Sequence, residues 1–541
     1  MMKRVKWKKI VFPMTMFITG MLCLMQIVGE SLCDTNSWNL LFTQTKKSFT
    51  QFILLFIAVY AGLVYSIHWL DQQKSVGKKK VDNRLFWIAL VAIILCWLPG
   101  IVIDYPGSYG ADALNQLEGF YGYEEFLDEN PFHTWLMVLC ISFGKFLGNR
   151  TFGYFLYILV QAGMLAGAGA LVCSEVDRLT GPSRAGFYLS TAFFALVPFW
   201  SAFAQWATKD VPYTALITLW LVLLVRCIEH RNHLRWQLVA QLMVVGLLAC
   251  GMRLNGIYTI LPTLLLLSFA MPRGRRWWII LGMGTIFLIY NVIGQAMKPE
   301  LGSYEPVVQL GGLIQRNQAQ QVMRCVIDHG EELTPKQVGI IDAVMKYDRI
   351  PELYSPTNTD SVNLVRRETT EEAIAEFQKL WLELLKEYPF TFVQAFLNKS
   401  YGYYSACGIG YLNLYRHENP PDPRLGLEKT FPQRWMDNLV EWTNHIRYMP
   451  IVRRLSTAGL YTQIAVLCGW LLLRKRKWMA LIPVMPFAMN FLFCIAGPLA
   501  RLLRYALPMA AGAPLLIAWV IGVLRGKILE NDQIEKMDEI A

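Results

Sequence analysis

The chain has 541 residues, of which 54% are hydrophobic and 18 are Trp, far more apolar stretch than one soluble core needs. Its formal net charge of +11 would point to nucleic acid in a soluble protein. Here the basic residues sit in short clusters between apolar runs, as orientation signals do, so nucleic-acid binding is set aside and the chain reads as a polytopic, all-α membrane protein.

In chain order, about twelve runs approach the roughly 20 residues that span a bilayer. The first, about 10–29, follows the basic MMKRVKWKK, which holds the N-terminus inside. It lacks a small-residue cleavage site and reads as an anchor. The second, about 49–70, returns the chain to DQQKSVGKKKVDNR, basic and therefore inside. The third, about 85–103, delivers the loop DYPGSYGADALNQLEG to the outside. From Asp104 to Asn130 the chain carries Asp104, Asp112, Glu118, Glu124, Glu125, Asp128 and Glu129 and no Lys or Arg. A solvated connector accounts for most of these acids. Asp112 is the exception, because a second acid and several cations recur at the same face later in the chain.

NPFHTWLMVLCISFGKFLGN comes next, and hydropathy would make residues 131–148 a span. Charge parity reads it otherwise. If this run crossed, the basic loops RCIEHRNHLR, PRGRR and RKRK would all fall outside; if it lies in the interface, all three fall inside. Thr134, Ser142, Lys145 and Asn149 also share one side of a helical wheel, which predicts a juxtamembrane helix on the outer face.

Further spans are expected at about 153–173, 186–206, 211–228, 236–252, 256–271 and 277–296. They leave QWATKDVPY, with Lys209 and Asp210, and GMRLNG, with Arg253 and Asn255, outside. From residue 298 to 450 the hydropathy collapses, and this outer segment reads as mainly helical. Thr369 and Glu372 form a TxxE capping box ahead of Ile374, Phe377, Leu380, Trp381, Leu384 and Leu385 at helical spacing, until Pro389 stops the run. An aromatic stretch containing Tyr401 to Tyr404 follows, then the loop NPPDPRLG. Closing spans at about 455–473, 479–497 and 505–524 place Arg501, Arg504 and Tyr505 of GPLARLLRYALP outside and the polar tail inside. Charges at span ends snorkel to water at little cost, so Arg504→Ala is expected to cost folding little. The expected division is 1–103 N-terminal spans, 104–297 membrane core, 298–450 outer helical domain and 451–541 C-terminal spans with the tail. Eleven Cys are scattered without a CxxC pair; only Cys325 with Cys407 is left open as a disulfide.

There is no P-loop, no GxGxxG opening a helix, no HExxH and no GxSxG. His133 stands alone near the outer face. What remains is a geometry of two carboxylates, Asp112 and Asp210, with Lys209, Arg253, Arg501 and Arg504 at one membrane face.

That order of an outer acidic loop, an NPFHTWL helix, two spans and then ATKDVPYTALITLWL resembles the GT-C superfamily of membrane glycosyltransferases, which includes protein O-mannosyltransferases and aminoarabinose transferases. The likeness runs through 104–297 and returns at RYALP, which is similar to an arginine-bearing motif near the end of many members. This chain differs in its extra early spans and in having Ala113 where many members carry a second acid. The resemblance implies transfer of a sugar, with inversion, from a polyprenyl-phosphate donor to a lipid, glycan or protein acceptor of the cell envelope. It implies a plasma-membrane protein with both termini cytoplasmic and the site extracytoplasmic. No cofactor is certain, and a divalent metal is an open option. Asp112 would be the base, its pKa raised by partial desolvation, with Asp104 as the alternative. Asp210 would orient acceptor or sugar, or bind the metal. Arg504, supported by Arg501 or Arg253, would clamp the phosphate, so Arg504→Ala is expected to weaken use of the lipid donor more than it harms folding. Lys209, Asn255 and His133 would complete the substrate-binding face, and Tyr505 with Tyr401 to Tyr404 would offer rings to the sugar. A transporter or lipid flippase also fits the span count, but such proteins put ionisable groups near the bilayer midplane and repeat their halves, and here the charges lie at span ends. A scaffold for envelope assembly is the third reading.

Overall fold

The computed structural model describes residues 2–72, 82–123, 131–296, 309–310, 312–408, 421–428 and 433–526. The basic loop before Asp82, the acids Glu124, Glu125, Asp128 and Glu129, the start of the outer segment, the beginning of NPPDPRLG and the polar tail beyond 526 lie outside the described residues.

The predicted membrane runs all lie in helix. In chain order the principal helices are α1 (Met2–Thr35), α2 (Thr45–Gln72), α3 (Asn83–Ile103), α4 (Ala111–Phe120), α5 (Pro131–Phe146), α6 (Arg150–Thr180), α7 (Ala185–Leu196), α8 (Pro198–Gln205), α9 (Asp210–Glu229), α10 (Trp236–Met252), α11 (Ile257–Ala270) and α12 (Arg273–Ala296). They continue with α13 (Gly312–His329), α14 (Pro335–Val344), α15 (Glu371–Glu387), α16 (Pro389–Asn398), α17 (Gln433–Arg447), α18 (Ala458–Arg474), α19 (Met485–Ala496) and α20 (Leu503–Leu524). Among the described residues, 7 helices are long and apolar enough to cross a membrane, or up to 8 if a bent pair is one span. The all-α, polytopic reading holds at that level, and these helices do not by themselves reach the expected twelve spans. The run near 186–206 is two helices, α7 and α8, bent by 52°. Pro198 opens α8, and its missing N–H cannot continue the preceding helix. Trp236–Met252, Leu254–Ala270 and Ala458–Arg474 are apolar but shorter. Hydropathy sees apolar content and is blind to the turns that shorten a helix.

Helix ends sort onto two faces. At one, Tyr154 near the start of α6 donates to the Ser108 carbonyl just past α3 at 3.2 Å, and Arg253 at the end of α10 pairs with Asp210 at the start of α9. Arg504 at the start of α20 lies 3.1 Å from the same Asp210. At the opposite face, Arg178 of α6 pairs with Glu229 of α9 at 2.7 Å, and Arg474 at the end of α18 pairs with Asp71 of α2 at 3.0 Å. Arg525, just past α20, donates to the Thr180 carbonyl, and Arg275 donates to the Arg231 carbonyl at 2.8 Å. The three basic loops named above thus gather at the face away from Asp112.

α5 lies along the Asp112 face and does not pass between the two. Its Phe132 packs on Gly251 at the end of α10, while its Gly144 packs on Gly153 at the start of α6, close enough that a Cβ on Gly144 would sit 2.3 Å from the Gly153 Cα. Both contacts are helix ends on one face, so α5 connects them sideways. The polar stripe holds in part: Ser142, Lys145 and Asn149 are exposed. Thr134 is buried, and the side away from the protein shows Trp135, Leu139, Phe143 and Phe146.

The segment after α12 builds a second apolar core, with Val322, Met323, Ile341, Phe377 and Leu384 at its centre. The buried positions Ile374, Phe377, Leu380 and Leu384 of α15 keep the predicted spacing. The cap is one residue later than expected: Thr370, not Thr369, accepts from the Ala373 N–H at 3.2 Å. This segment grips the strap between α19 and α20. Thr359 N donates to Pro498 O at 2.8 Å and Ala500 N to Thr357 O at 3.0 Å, and the Tyr403 hydroxyl donates to Leu499 O at 2.6 Å. Lys399, fully buried, points its ammonium at the carbonyls of Ala496 and Gly497, 3.3 and 3.4 Å away. These carbonyls end α19, where a helix dipole favours positive charge. Burial nevertheless lowers the Lys399 pKa to about 8. Tyr401, Tyr403 and Tyr404 are buried, so they offer no open ring to a sugar. Cys325 lies in the second core and Cys407 against α1, which rules out the pairing between them.

Candidate active site

The site is assembled by one close approach of backbone to backbone. Past α3 the chain turns at Asp104, whose buried carboxylate accepts from the Ser108 hydroxyl at 2.6 Å. Ser108 then pairs with the turn ahead of α9: its N–H donates to Gln205 O at 3.0 Å, and Ala207 N donates to Ser108 O at 3.2 Å. Gly110 is needed for this, since a Cβ there would meet Ala207 O at 2.4 Å. From the other side the buried Gln161 of α6 donates to the carbonyls of Ala204 and Trp206, at 2.9 and 3.0 Å. The two loops so joined carry Asp112 in the first turn of α4 and Asp210 as the first residue of α9.

Arg504 bridges them. Its Nη2 lies 3.3 Å from Asp112 Oδ2 and its Nε 3.1 Å from Asp210 Oδ2. Lys209 Nζ is 3.8 Å from Asp112 Oδ2, and Arg253 pairs with the other oxygen of Asp210. Thr208 donates to Asp210 Oδ2 at 3.2 Å. The guanidinium of Arg253 sits over Phe493 at 4.6 Å and Tyr505 at 5.2 Å. Arg504 shares the Tyr505 ring at 5.3 Å and lies 5.6 Å from the Trp206 ring. Exposure grades across the cluster. The Asp210 side chain is 1% exposed and Arg253 7%, while Arg504 is 15%, Asp112 37% and Lys209 24%. Asp112 and Lys209 form the open side, and Asp210 with Arg253 forms the sealed one. Three cations face two carboxylates, so the cluster carries one net positive charge, suited to an anion.

Several sequence expectations change here. Burial does push the Asp112 pKa up, but Arg504, Lys209 and Arg253 together outweigh it and hold the carboxyl below its ordinary range. The expected raised value is overturned, because spacing in sequence does not show that three cations converge on one carboxylate. Both oxygens of Asp210 are engaged by arginines, so it positions Arg253 and Arg504 and does not face a ligand. Asp104 is closed off in its own turn and is no alternative base. Arg501 is not in the cluster: its guanidinium reaches Cys33 Sγ at 3.8 Å and lies over Tyr401. Asn255 is exposed. Tyr505 is buried between the two arginines and serves them as a ring face. As for a metal, no three His, Cys, Asp or Glu side chains among the described residues come together to hold one.

His133 is in place but acts differently from a substrate contact. It is fully buried, with Nδ1 2.6 Å from Gln116 Oε1 of α4 and Nε2 2.6 Å from the Tyr157 hydroxyl of α6. It therefore pins the helix that carries Asp112. Burial, reinforced by Lys209, lowers its pKa from 6.5 to about 3, so the ring is neutral. Below pH 6.5 the unfolded chain binds a proton that the folded chain refuses, so stability falls on acidification through the window from 6.5 to about 3. The slope from this group is up to about 1.4 kcal/mol per pH unit. Thermal unfolding in detergent at pH 7 and pH 5 should show His133→Gln with a smaller acid loss than wild type; equal losses would remove this role.

Gln116, Tyr157, Gln161 and Trp206 were missed in the sequence. Gln161, alone in an apolar run, was a readable signal, since a polar side chain within a span seldom lacks a task. Also missed was the buried network at the opposite face, where Glu175 binds Arg226 and Arg178.

The fold and this cluster define a polytopic α-helical membrane protein with a charged site at one face. The chain belongs to a family of unknown function, DUF6020, whose family model matches residues 128–533. Among solved structures it is similar to ArnT from Cupriavidus metallidurans in the apo state, at 12% identity over 80% of this chain and 78% of that one, with a TM-score of 0.30. The same protein bound to undecaprenyl phosphate matches at 12% identity over 79% and 77%, with a TM-score of 0.27. No curated protein matches the chain.

Proposed function

We propose that this chain is a GT-C type glycosyltransferase that moves a sugar from a polyprenyl-phosphate donor to an acceptor of the cell envelope at the outer face of the plasma membrane. The observation that carries the reading is Arg504, held between Asp112 and Asp210 in a cluster of net positive charge at helix ends. The outer placement rests on charge parity, since the basic loops lie at the opposite face. The chemistry follows from the exposure gradient. Asp112, on the open side, takes the proton of the acceptor as its oxygen or nitrogen attacks the anomeric carbon. The bond from that carbon to the phosphate oxygen breaks, with inversion, and the departing phosphate is received by Arg504 and Lys209. Asp210 and Arg253 keep Arg504 extended, which lowers the reorganisation needed when charge develops. Phosphate arrival also shares the cations that depress Asp112, so donor binding itself makes the carboxylate a better base.

Donor recognition is tested with purified full-length protein in nanodiscs. Undecaprenyl phosphate should bind and undecaprenol, the same chain without its phosphate, should not. Equal binding of the two, with no turnover of any polyprenyl-phosphate sugar, would overturn the reading.

A further inference from the structure

We propose that Cys33 and Cys407 form a reversible disulfide that staples the first membrane helix to the helical segment following α16. This inference stands independently of the glycosyltransferase reading.

The register of α1 against residues 405–408 is fixed by close contact. Gly29 lies so near that a Cβ on it would sit 2.2 Å from the Ser405 Cβ. One turn earlier, Gln26 Oε1 accepts from Ala406 N at 2.9 Å, and the Gln26 carbonyl accepts from the Ser405 hydroxyl at 3.3 Å. Gln463 of α18 donates to the same Gln26 oxygen at 3.3 Å, which locks that side chain in place. Given this register, the residue one turn past Gly29 must meet the residue two past Ser405. Those residues are Cys33 and Cys407, which pack in one small cluster; a Cβ on Gly408 would lie 3.1 Å from Cys33 Sγ, and one on Gly29 would lie 3.4 Å from Cys407 Sγ. Arg501, which the charged cluster does not use, donates from Nη1 to Cys33 Sγ at 3.8 Å. It gives a negatively charged sulfur a partner in place. Cys33 is half-buried and Cys407 buried, so an incoming disulfide reaches Cys33 first.

The exchange balances with a small disulfide such as oxidised glutathione as oxidant. Cys33 sulfur attacks one glutathione sulfur, the glutathione S–S bond breaks, and one glutathione leaves as thiol. Cys407 sulfur then attacks Cys33 sulfur, the protein disulfide forms, and the second glutathione leaves. Both protons and both electrons of the protein thiols end on the two glutathione molecules. The bond closes a loop of most of the chain and so restricts the unfolded ensemble, which stabilises the fold.

The test uses the full chain in detergent, incubated with oxidised glutathione, unfolded, capped with N-ethylmaleimide and digested without reductant. The expected result is a peptide joining Cys33 to Cys407, with neither residue carrying maleimide, and dissolution of the link by dithiothreitol. Thermal unfolding should shift upward on oxidation and return on reduction. Cys407→Ser should leave Cys33 as a glutathione adduct, which shows entry at Cys33 even where the double-thiol contact is gone. Two results would overturn the proposal: Cys33 ending as an adduct in wild type with Cys407 still capped by maleimide, or both thiols capped by maleimide after incubation with oxidised glutathione.

Discussion

Asp112→Asn should leave expression and membrane insertion normal and slow sugar transfer by roughly 10² to 10⁴-fold, the range that general-base catalysis supplies. Asparagine keeps the size and an oxygen toward Arg504 and Lys209 but takes no proton. Glu118→Gln, in the same short helix, removes a charge from the same loop and should leave transfer nearly intact. Asp104→Asn touches a buried turn contact, so its loss should appear in thermal stability before it appears in rate. The pH profile carries a second check. Asp112 must be ionised to act, and its pKa is held low by Arg504, Lys209 and Arg253, so kcat/KM should stay flat until the pH falls below the ordinary carboxylate range of about 3.9. In the donor complex the phosphate shares those cations, and the acid limb of kcat should lie at higher pH than that of kcat/KM. If Asp112→Asn and Asp210→Asn are both silent in transfer from a polyprenyl-phosphate sugar, the two-carboxylate site is wrong.

Arg504→Ala should lower stability by about 3 to 5 kcal/mol, the cost of breaking a buried ion pair and leaving charge uncompensated. At 15% exposure between two carboxylates, this side chain does not snorkel, so its loss is expected to cost more than the little read from its place at a span end. Arg504→Lys separates the two roles. It retains the charge, so most of the stability should remain, but an ammonium cannot reach Asp112, Asp210 and a phosphate together as a planar guanidinium can. Losing one charge-assisted contact of about 1.5 to 3 kcal/mol predicts donor binding weaker by about one to two orders of magnitude. Wild-type affinity for undecaprenyl phosphate in the lysine variant would take Arg504 out of the phosphate site. An alanine variant as stable as wild type would show that it does not hold the two carboxylates.

The sequence by itself determined where most of the helices lie, which of their ends share a face, and that Asp112, Lys209, Asp210, Arg253, Arg501 and Arg504 lie at one of them. Apolar periodicity and loop charge are local properties, and a bilayer turns them into position by admitting apolar spans and sorting basic loops. Partner choice was decided only by the tertiary structure. Arg501 and Arg504 lie three residues apart, yet the first reaches Cys33 and the second reaches Asp112 and Asp210. Between them the chain leaves a strap gripped by the second helical core and enters α20. His133 reads in the sequence as a lone histidine near the outer face and in the fold as a neutral pin between Gln116 and Tyr157. The Asp112 carboxyl reads as a desolvated base and is instead depressed by cations from three distant loops. Burial and electrostatic energy depend on every group within a few ångströms, and only folding brings residues a hundred or more positions apart to that distance.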